Sequence, residues 1–223
     1  MIITKIQKQK GKKNRYNIFI DGKEQFSISD AVLIENGLIE GKEITIQEFE
    51  NLKKEAVKSN CEECLLSYLD YRMRSEREIF NHLRKKGYPI YIIMPLIQKY
   101  KKYGYINDMQ FAKKYLEDLI NFHAQGKFML KYKLQSKGIS KDLAEHTIDE
   151  ILSPEKEIEL AITLLKKNEY KFKKFKGKEL YSKVYAFLRR KGFSNDIIRE
   201  AIEHTTEITN YKYLISNKMS DDK

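Results

Sequence analysis

A helix-ending signature occurs three times along the chain and limits the folds that the chain can adopt. Its copies read LRKKGY at 83–88, LQSKGI at 134–139 and LRRKGF at 188–193. Each copy closes a helical pattern with a cation, a glycine and a hydrophobic residue, and the glycines are 51 and 54 residues apart. A period of this length is typical of stacked supersecondary units, which usually bind extended partners and seldom build a catalytic pocket.

Four hydrophobic columns align when the copies are placed in register on the glycine. They lie four and eight residues before it and five and ten residues after it: Leu83, Leu134 and Leu188; Ile79, Leu130 and Val184; Ile92, Leu143 and Ile197; Ile97, Ile148 and Ile202. Each column is one face of an amphipathic helix, so the columns predict a fold and no activity. Gly87, Gly138 and Gly192 are expected to supply the left-handed conformation that ends each helix.

Residues 1–28 predict a three-stranded β-meander. Apolar and polar residues alternate in the first strand, residues 15–20 are rich in β-formers, and the dipeptide Asp21-Gly22 indicates a hairpin turn. A basic loop from Lys8 to Lys13 joins the first two strands.

Capping residues predict where the helices begin. Asp30 can cap a first helix that stops at Gly37, and Thr45 with Glu48 forms a capping box for a second helix that runs to about Lys58. The remainder is helical in pattern, and its helices begin at the capping residues Ser75, Asn107, Ser140, Ser153 and Ser194.

These patterns together predict a mainly α fold. The β-meander and two short helices precede a tandem array of three three-helix repeats, which we expect to be elongated and curved. The expected segments are 1–58 for the N-terminal part, 59–105, 106–152 and 153–207 for the three repeats, and 208–223 for a frayed C-terminal tail.

The charge of the chain narrows the classes of partner. The formal net charge is +11 and the isoelectric point is about 9.3, which favours nucleic acid, an acidic protein surface or a membrane face. The most apolar stretch, 91–97, is far shorter than the ~20 residues of a membrane helix, so we expect no membrane partner. The N-terminus lacks a basic region followed by an apolar core, so we expect no export, a cytoplasmic protein and reduced cysteines.

No constellation of residues indicates catalysis. The chain has no G-x-x-x-x-G-K-[ST] phosphate loop, no H-E-x-x-H and no G-x-S-x-G, so we expect a non-enzymatic protein without a cofactor. Cys61 and Cys64 form a single C-x-x-C, and the four histidines are scattered. Both cysteines share a helical spacing with Leu65 and Tyr68, so we interpret them as core thiols and expect no metal. An enzyme would require a pocket that the sequence does not indicate.

The segment 166–191 is the most basic part of the chain. It holds eleven Lys or Arg residues against Glu169 and Glu179, and Tyr170, Phe172, Phe175 and Tyr181 are interspersed with them. Cations mixed with aromatic rings suit a nucleic-acid backbone with stackable bases, and they also suit an acidic protein groove. The alternative is that Phe172 and Phe175 are core residues and that the lysines only solvate a loop. The candidate binding residues of this segment are Lys171, Lys173, Lys174, Lys176 and Lys178.

Cations at the helix ends are the second group of candidates. One cation in a last turn complements the helix dipole, but the first and third copies of the signature carry three in a row, so the surplus indicates binding. These residues are Arg84, Lys85, Lys86, Arg189, Arg190 and Lys191. Arg72 and Arg74 precede a helix N-terminus, where the dipole disfavours cations; either a partner or an ion pair with Glu76 or Glu78 explains them.

Two stretches carry a family resemblance. YRMRSEREI at 71–79, continued by LRKKG at 83–87, and GYINDMQFA at 104–112 resemble the RecX family, regulators of the bacterial recombinase RecA, and the similarity extends over about residues 1–205. The resemblance implies three tandem three-helix repeats that lie in the groove of the RecA filament, limit its growth and suppress ATP hydrolysis and strand exchange. Gln135-Ser136 replaces a basic pair of the pattern, so a basic stripe across all three copies is not expected.

The leading hypothesis is a monomeric regulator that docks along the filament of RecA on single-stranded DNA, in DNA repair, recombination and the SOS response. Double-stranded DNA is a further possible partner. The rival hypothesis is a stand-alone nucleic-acid-binding helical module, whose affinity would fall steeply and linearly with the logarithm of salt concentration whether or not the recombinase is present.

Overall fold

The N-terminal residues form an antiparallel sheet. The computed structural model describes residues 1–10 and 14–204. Strands β1 (Ile3–Lys8), β2 (Arg15–Ile20) and β3 (Lys23–Ser29) pair in the order β1-β2-β3, which confirms the predicted meander. Asp21 and Gly22 make the hairpin turn with φ values of 48° and 79°. Half of the predicted basic loop, residues 11–13, and the predicted tail, 208–223, lie outside the described residues.

Helices make up the rest of the described chain. They are α1 (Asp30–Glu35), α2 (Ile46–Tyr71), α3 (Glu76–Lys85), α4 (Ile90–Lys102), α5 (Asp108–His123), α6 (Lys127–Ser136), α7 (Lys141–Ile151), α8 (Pro154–Lys167), α9 (Gly177–Arg190) and α10 (Asn195–His204). A 3-10 turn, Glu169–Lys171, lies between α8 and α9. The second half of α2 with α3 and α4 forms repeat 1, α5–α7 form repeat 2, and α8–α10 form repeat 3.

Most helix starts follow the predicted caps, with one correction. Thr45 with Glu48 and Ser75 with Glu78 form complete capping boxes, and the side chains of Asn107, Ser140 and Ser153 also accept N–H groups of their helices. The cap of α1 is Ser29, whose hydroxyl accepts the N–H of Val32, and Asp30 is the first residue of the helix. Asp30 therefore lies in the first turn, where a carboxylate complements the dipole.

The prediction that the second helix ends near Lys58 is wrong. Helix α2 continues without a break for 26 residues, so the expected boundary between residues 58 and 59 falls inside it. The reason is a change of buried face. Leu52 and Ala56 pack with the sheet, whereas Cys61 and Leu65 pack in repeat 1. At about 100° per residue, Leu52 and Cys61 point in nearly opposite directions, so the hydrophobic stripe breaks although the helix does not.

The three signatures end their helices in the same way. Gly87, Gly138 and Gly192 have φ values of 90°, 93° and 90°, as predicted. The residue after each glycine donates its N–H to the leucine carbonyl five positions back, at 3.2, 3.2 and 3.3 Å. This is the six-to-one bond of a Schellman motif, so the leucine carries both a buried side chain and the bond that closes the helix.

Each segment builds its own hydrophobic core, and the described chain divides into two compact units. The first unit is Met1–Ile106 and contains the sheet core and the core of repeat 1. The second unit begins at Asn107 and contains the cores of repeats 2 and 3. Within the described residues, no helix is long and apolar enough to cross a membrane.

Repeats 2 and 3 meet at two glycines. The N–H of Gly126 donates to the carbonyl of Lys191, and the N–H of Phe128 donates to the carbonyl of Gly192, both at 3.1 Å. A Cβ atom on Gly126 would lie 2.5 Å from the backbone of Gly192, so an ordinary side chain does not fit there. The N–H of Lys127 donates to buried Glu157 at 2.9 Å. Burial raises the pKa of that carboxyl above its ordinary value, and the hydrogen bond offsets part of this rise.

Candidate anion-binding surfaces of repeats 1 and 3

The end of α3 presents three consecutive cations to solvent. Arg84 and Lys85 belong to its last turn and Lys86 is the C-cap, and all three side chains are exposed. None of them lies within ion-pair distance of a carboxylate in the described part of the chain; Arg84 donates only to the carbonyl of Tyr88, at 3.4 Å. The charge of this helix end is therefore available to an anionic partner.

Arg72 and Arg74 have partners inside repeat 1. Arg72 donates to both carboxylate oxygens of Glu78, at 3.1 and 3.2 Å, so the ion-pair alternative describes it. Arg74 lies over the ring of Tyr68 at 4.1 Å, and the Tyr68 ring stacks in parallel on His82 at 3.9 Å. Arg74 and His82 therefore both pack against the ring of Tyr68. Arg72 is thus committed to a helix start and Arg74 to an aromatic stack.

His82, which belongs to this stack, has a shifted pKa and lies beside the thiol of Cys64. Burial lowers the pKa of His82 below its ordinary value, and the charges of Lys86, Arg74 and Lys85 lower it further. The Nε2 atom of His82 lies 3.6 Å from Sγ of half-buried Cys64. Cys61 is fully buried, as the core-thiol interpretation predicts, and burial raises its pKa to about 12. Among the described residues, no group of His, Cys, Asp or Glu is arranged to hold a metal ion.

The basic segment of repeat 3 forms an exposed cationic surface between α8 and α9. Lys171, Lys173, Lys174, Lys176 and Lys178 are all exposed. In the described part of the chain, the first four have no carboxylate within ion-pair distance; Lys171 donates to the side-chain carbonyl of Asn168, at 2.6 Å.

The aromatic residues of that segment are mostly structural. Phe172 belongs to the core of repeat 3, and Phe175 and Tyr181 are half-buried against it. Tyr170 is 67% exposed and is the one ring of these four that can stack freely on a base. The core alternative is therefore correct for Phe172 and largely for Phe175, and the segment offers charge far more than stacking.

The structure joins the basic segment to the cations at the end of α9. The ammonium groups of Lys171 and Lys191 lie 5.7 and 5.9 Å from the ring of Phe187. Arg189 and Arg190 are exposed beside them and have no carboxylate partner among the described residues. Lys183, which the sequence did not single out, shares the ring of Phe175 with Lys174, at 5.4 and 5.1 Å. Such an array can bind phosphates or carboxylates, and it lacks the paired acid and base of a catalytic site.

Four family models together match most of the chain. The RecX N-terminal domain matches residues 1–45, and the first, second and third three-helix domains of RecX match residues 61–99, 107–148 and 155–202. The regulatory protein RecX of Bacillus pumilus is 35% identical over 202 residues, which cover 90% of this chain and 76% of that protein. The regulatory protein RecX of Bacillus cytotoxicus is 35% identical over 212 residues, which cover 92% and 77%.

Solved structures agree with these matches. A crystal structure of regulatory protein RecX superposes with a TM-score of 0.71 at 29% identity and covers 89% of this chain and 97% of that one. A crystal structure of RecX from Lactobacillus salivarius gives a TM-score of 0.62 at 27% identity, with 66% and 96% covered.

Proposed function

This chain belongs to the RecX family of regulatory proteins, and from that premise we propose that it is a non-enzymatic inhibitor of RecA that binds along the RecA–single-stranded-DNA filament. The inhibitor limits filament growth, ATP hydrolysis and strand exchange. It acts in the cytoplasm as a monomer, and single-stranded DNA within the filament, with double-stranded DNA as a secondary ligand, contributes to its binding.

The observation that carries the proposal is the cationic surface of repeat 3. Lys171, Lys173, Lys174 and Lys176 have no carboxylate partner among the described residues, although eight acidic residues lie between 153 and 204. One-sided charge of this kind costs self-repulsion in the free protein and is offset when an anionic partner binds. A filament of recombinase on DNA provides such a partner, because the DNA carries a phosphate at every nucleotide.

A titration of this chain into the DNA-dependent ATPase reaction of its cognate RecA tests the proposal. ATP hydrolysis should fall as the protein is added and should reach a low plateau at saturation. An ATPase rate that is unchanged at saturating protein would contradict the proposal.

The exposed charge also favours a second candidate, a stand-alone nucleic-acid-binding module. Binding to naked single-stranded DNA and to the RecA–DNA filament at several salt concentrations separates the two. A phosphate binder loses affinity steeply with salt on both substrates, whereas a filament regulator binds the RecA–DNA complex far more tightly than naked DNA.

A further inference from the structure

The same helix end is covered in repeat 3 and open in repeat 1. Gly192 is buried beneath the turn that holds Gly126, and a Cβ atom on Gly192 would lie 2.4 Å from the main-chain nitrogen of Met129. Gly87 has the same φ and the same closing hydrogen bond, yet among the described residues no atom beyond its immediate chain neighbours lies within 4 Å of the position that its Cβ atom would take. In repeat 3 this surface is covered by a turn of repeat 2. The corresponding surface of repeat 1 is exposed.

Main-chain hydrogen bonds show what this surface can accept. In repeat 3 the carbonyls of Lys191 and Gly192 accept N–H groups from a turn that contains a glycine. In repeat 1 the corresponding carbonyls belong to Lys86 and Gly87, and neither accepts a hydrogen bond from any residue that the structure describes. A partner turn with a small residue at its start can approach them as closely as the turn at Gly126 approaches Gly192.

The residues beside the open end differ from those of the other repeats. Three and four positions after the glycine, repeat 2 has Lys141 and Asp142, and repeat 3 has Asn195 and Asp196. Repeat 1 has Ile90 and Tyr91, which are 50% and 71% exposed. Exposed apolar side chains at positions that are polar elsewhere in the same chain mark a surface that a protein partner covers.

Tyr91 also forms a wall of an apolar groove between α2 and α4. The groove has a volume of about 390 Å³ and is lined on the α4 side by Ile92, Pro95 and Leu96. Pro95 has no N–H, so it cannot give the carbonyl of Tyr91 its usual helical hydrogen bond. Three lysines and one carboxylate border the groove. Lys54 and Lys58 lack carboxylate partners in the described chain, Lys99 is paired with Glu62, and Glu55 accepts a hydrogen bond from the side chain of Asn36.

We propose that this surface, formed by the open end at Gly87, Ile90, Tyr91 and the adjoining groove, docks a turn of the RecA protein in the filament. The docked turn carries a small residue for the approach to Gly87, an apolar side chain for the groove, and acidic residues for Arg84, Lys85 and Lys86. The partner's identity rests on the proposed function, whereas its chemistry follows from the surface. A second copy of this chain fits poorly, because its corresponding turn, at the start of α9, carries Lys173, Lys174, Lys176 and Lys178, which repel the cations of repeat 1.

Site-specific cross-linking identifies the occupant. Tyr91→p-benzoylphenylalanine, irradiated with the RecA–single-stranded-DNA filament, should cross-link to RecA. The matched control is Tyr103→p-benzoylphenylalanine, at a tyrosine of the same repeat that is 60% exposed. The same yield of RecA cross-link at both positions would overturn the proposal, and so would cross-links from Tyr91 only to DNA or to a second copy, or none at all.

Substitution measures the contribution of the surface. The double variant Ile90→Ser, Tyr91→Ser should require at least about tenfold more protein for half-maximal inhibition of the RecA ATPase, because anchor aromatics dominate protein interfaces. Its melting temperature and its affinity for naked DNA should stay unchanged, as should inhibition by the control Tyr103→Ser, Tyr105→Ser. If wild type inhibits and the double variant inhibits equally, the docking surface is wrong and the proposed function stands. If wild type itself does not inhibit, the proposed function fails.

Discussion

The second repeat carries seven lysines and seven carboxylates between residues 107 and 152, whereas the third carries thirteen cations and eight carboxylates between 153 and 204. In repeat 2, Lys113 pairs with Glu150 at 2.5 Å, Lys127 with Asp149 at 2.6 Å, and Lys131 with Glu145, so these lysines are neutralised within the repeat. In repeat 3, Lys171 and Lys174 lie over the rings of Tyr170 and Phe175, and neither has a carboxylate within ion-pair distance among the described residues.

The difference teaches that one backbone plan can serve two purposes. Both repeats close their helices with the same leucine and glycine and build comparable cores. Surface ion pairs add little to stability, so the pairing in repeat 2 chiefly neutralises its surface. Repeat 3 leaves its charge exposed, and this is where we propose that an anionic partner binds. Matched substitutions in the two repeats can therefore separate effects on binding from effects on structure.

The largest expected effect is on stability, and it distinguishes a core ring from a surface ring within the basic segment. Phe172→Ala should lower the free energy of unfolding by about 3–5 kcal/mol, because the ring is buried in the core of repeat 3. Tyr170→Ala, at the neighbouring exposed ring, should change it by less than about 0.5 kcal/mol. Urea denaturation of both variants is the measurement. Equal stability of the two would mean that Phe172 is also a surface residue.

The joint between repeats 2 and 3 should give the next largest effect. Gly126 has an ordinary extended conformation, φ −78°, so alanine is unfavourable there only through its contact with Gly192. Gly126→Ala should destabilise the protein by about 2–3 kcal/mol, since the backbone must shift to admit the methyl group. Gly87→Ala should destabilise the protein by only about 1–2 kcal/mol, because alanine is strained in the left-handed conformation but meets no close neighbour there. Thermal unfolding checks the order, and a larger loss for Gly87→Ala would contradict the close approach.

Charge reversal compares the two repeats directly. Lys173→Glu, Lys174→Glu, Lys176→Glu should weaken inhibition of the RecA ATPase by about ten- to a hundredfold, roughly 1.4–2.8 kcal/mol. The matched triple in repeat 2, Lys114→Glu, Lys133→Glu, Lys141→Glu, changes the net charge equally and should weaken it far less. If both triples act alike, net charge rather than the surface of repeat 3 determines binding.

The smallest effect concerns the buried carboxyl at the joint. Because burial raises the folded-state pKa of Glu157 above its unfolded value, its contribution to stability is full below the unfolded pKa and is lost as pH rises through the folded pKa. Glu157→Gln keeps an acceptor for the N–H of Lys127 and removes the titration. The stability of wild type relative to this variant should therefore rise on acidification through that range. Chemical denaturation across the pH series measures the difference, and a difference that does not vary with pH would rule out the raised pKa.

Local signals predicted the helix ends, whereas contacts between distant residues were not predictable. The caps at Ser75 and Ser153 and the glycine at 87 act within a few residues, so the sequence shows them directly. The approach of Gly126 to Gly192 joins residues far apart in the chain, and no local pattern reports it. Sequence placed Phe172 among surface aromatics as readily as in the core, because spacing alone does not say which face of an irregular turn is buried.

The sequence showed where cations cluster, but it showed only partly which of them have partners within the protein. Counting charges finds the basic segment of repeat 3, and the equal numbers of lysines and acids in repeat 2 could have indicated its neutral surface. The commitment of Arg72 to Glu78 and of Arg74 to Tyr68 depends on how the chain turns between α2 and α3. That turn follows from packing rather than from the residues near it.

Because helix α2 packs in both the sheet core and the core of repeat 1, the number of residues between these two contacts cannot change. A single inserted or deleted residue between Leu52 and Cys61 would rotate everything beyond it by about 100° and displace it by about 1.5 Å along the axis. One of the two cores would then lose its helix face. Natural variants should therefore tolerate changes of length in the loops on either side of α2, and the stretch from 52 to 61 should accept substitutions but no insertion or deletion.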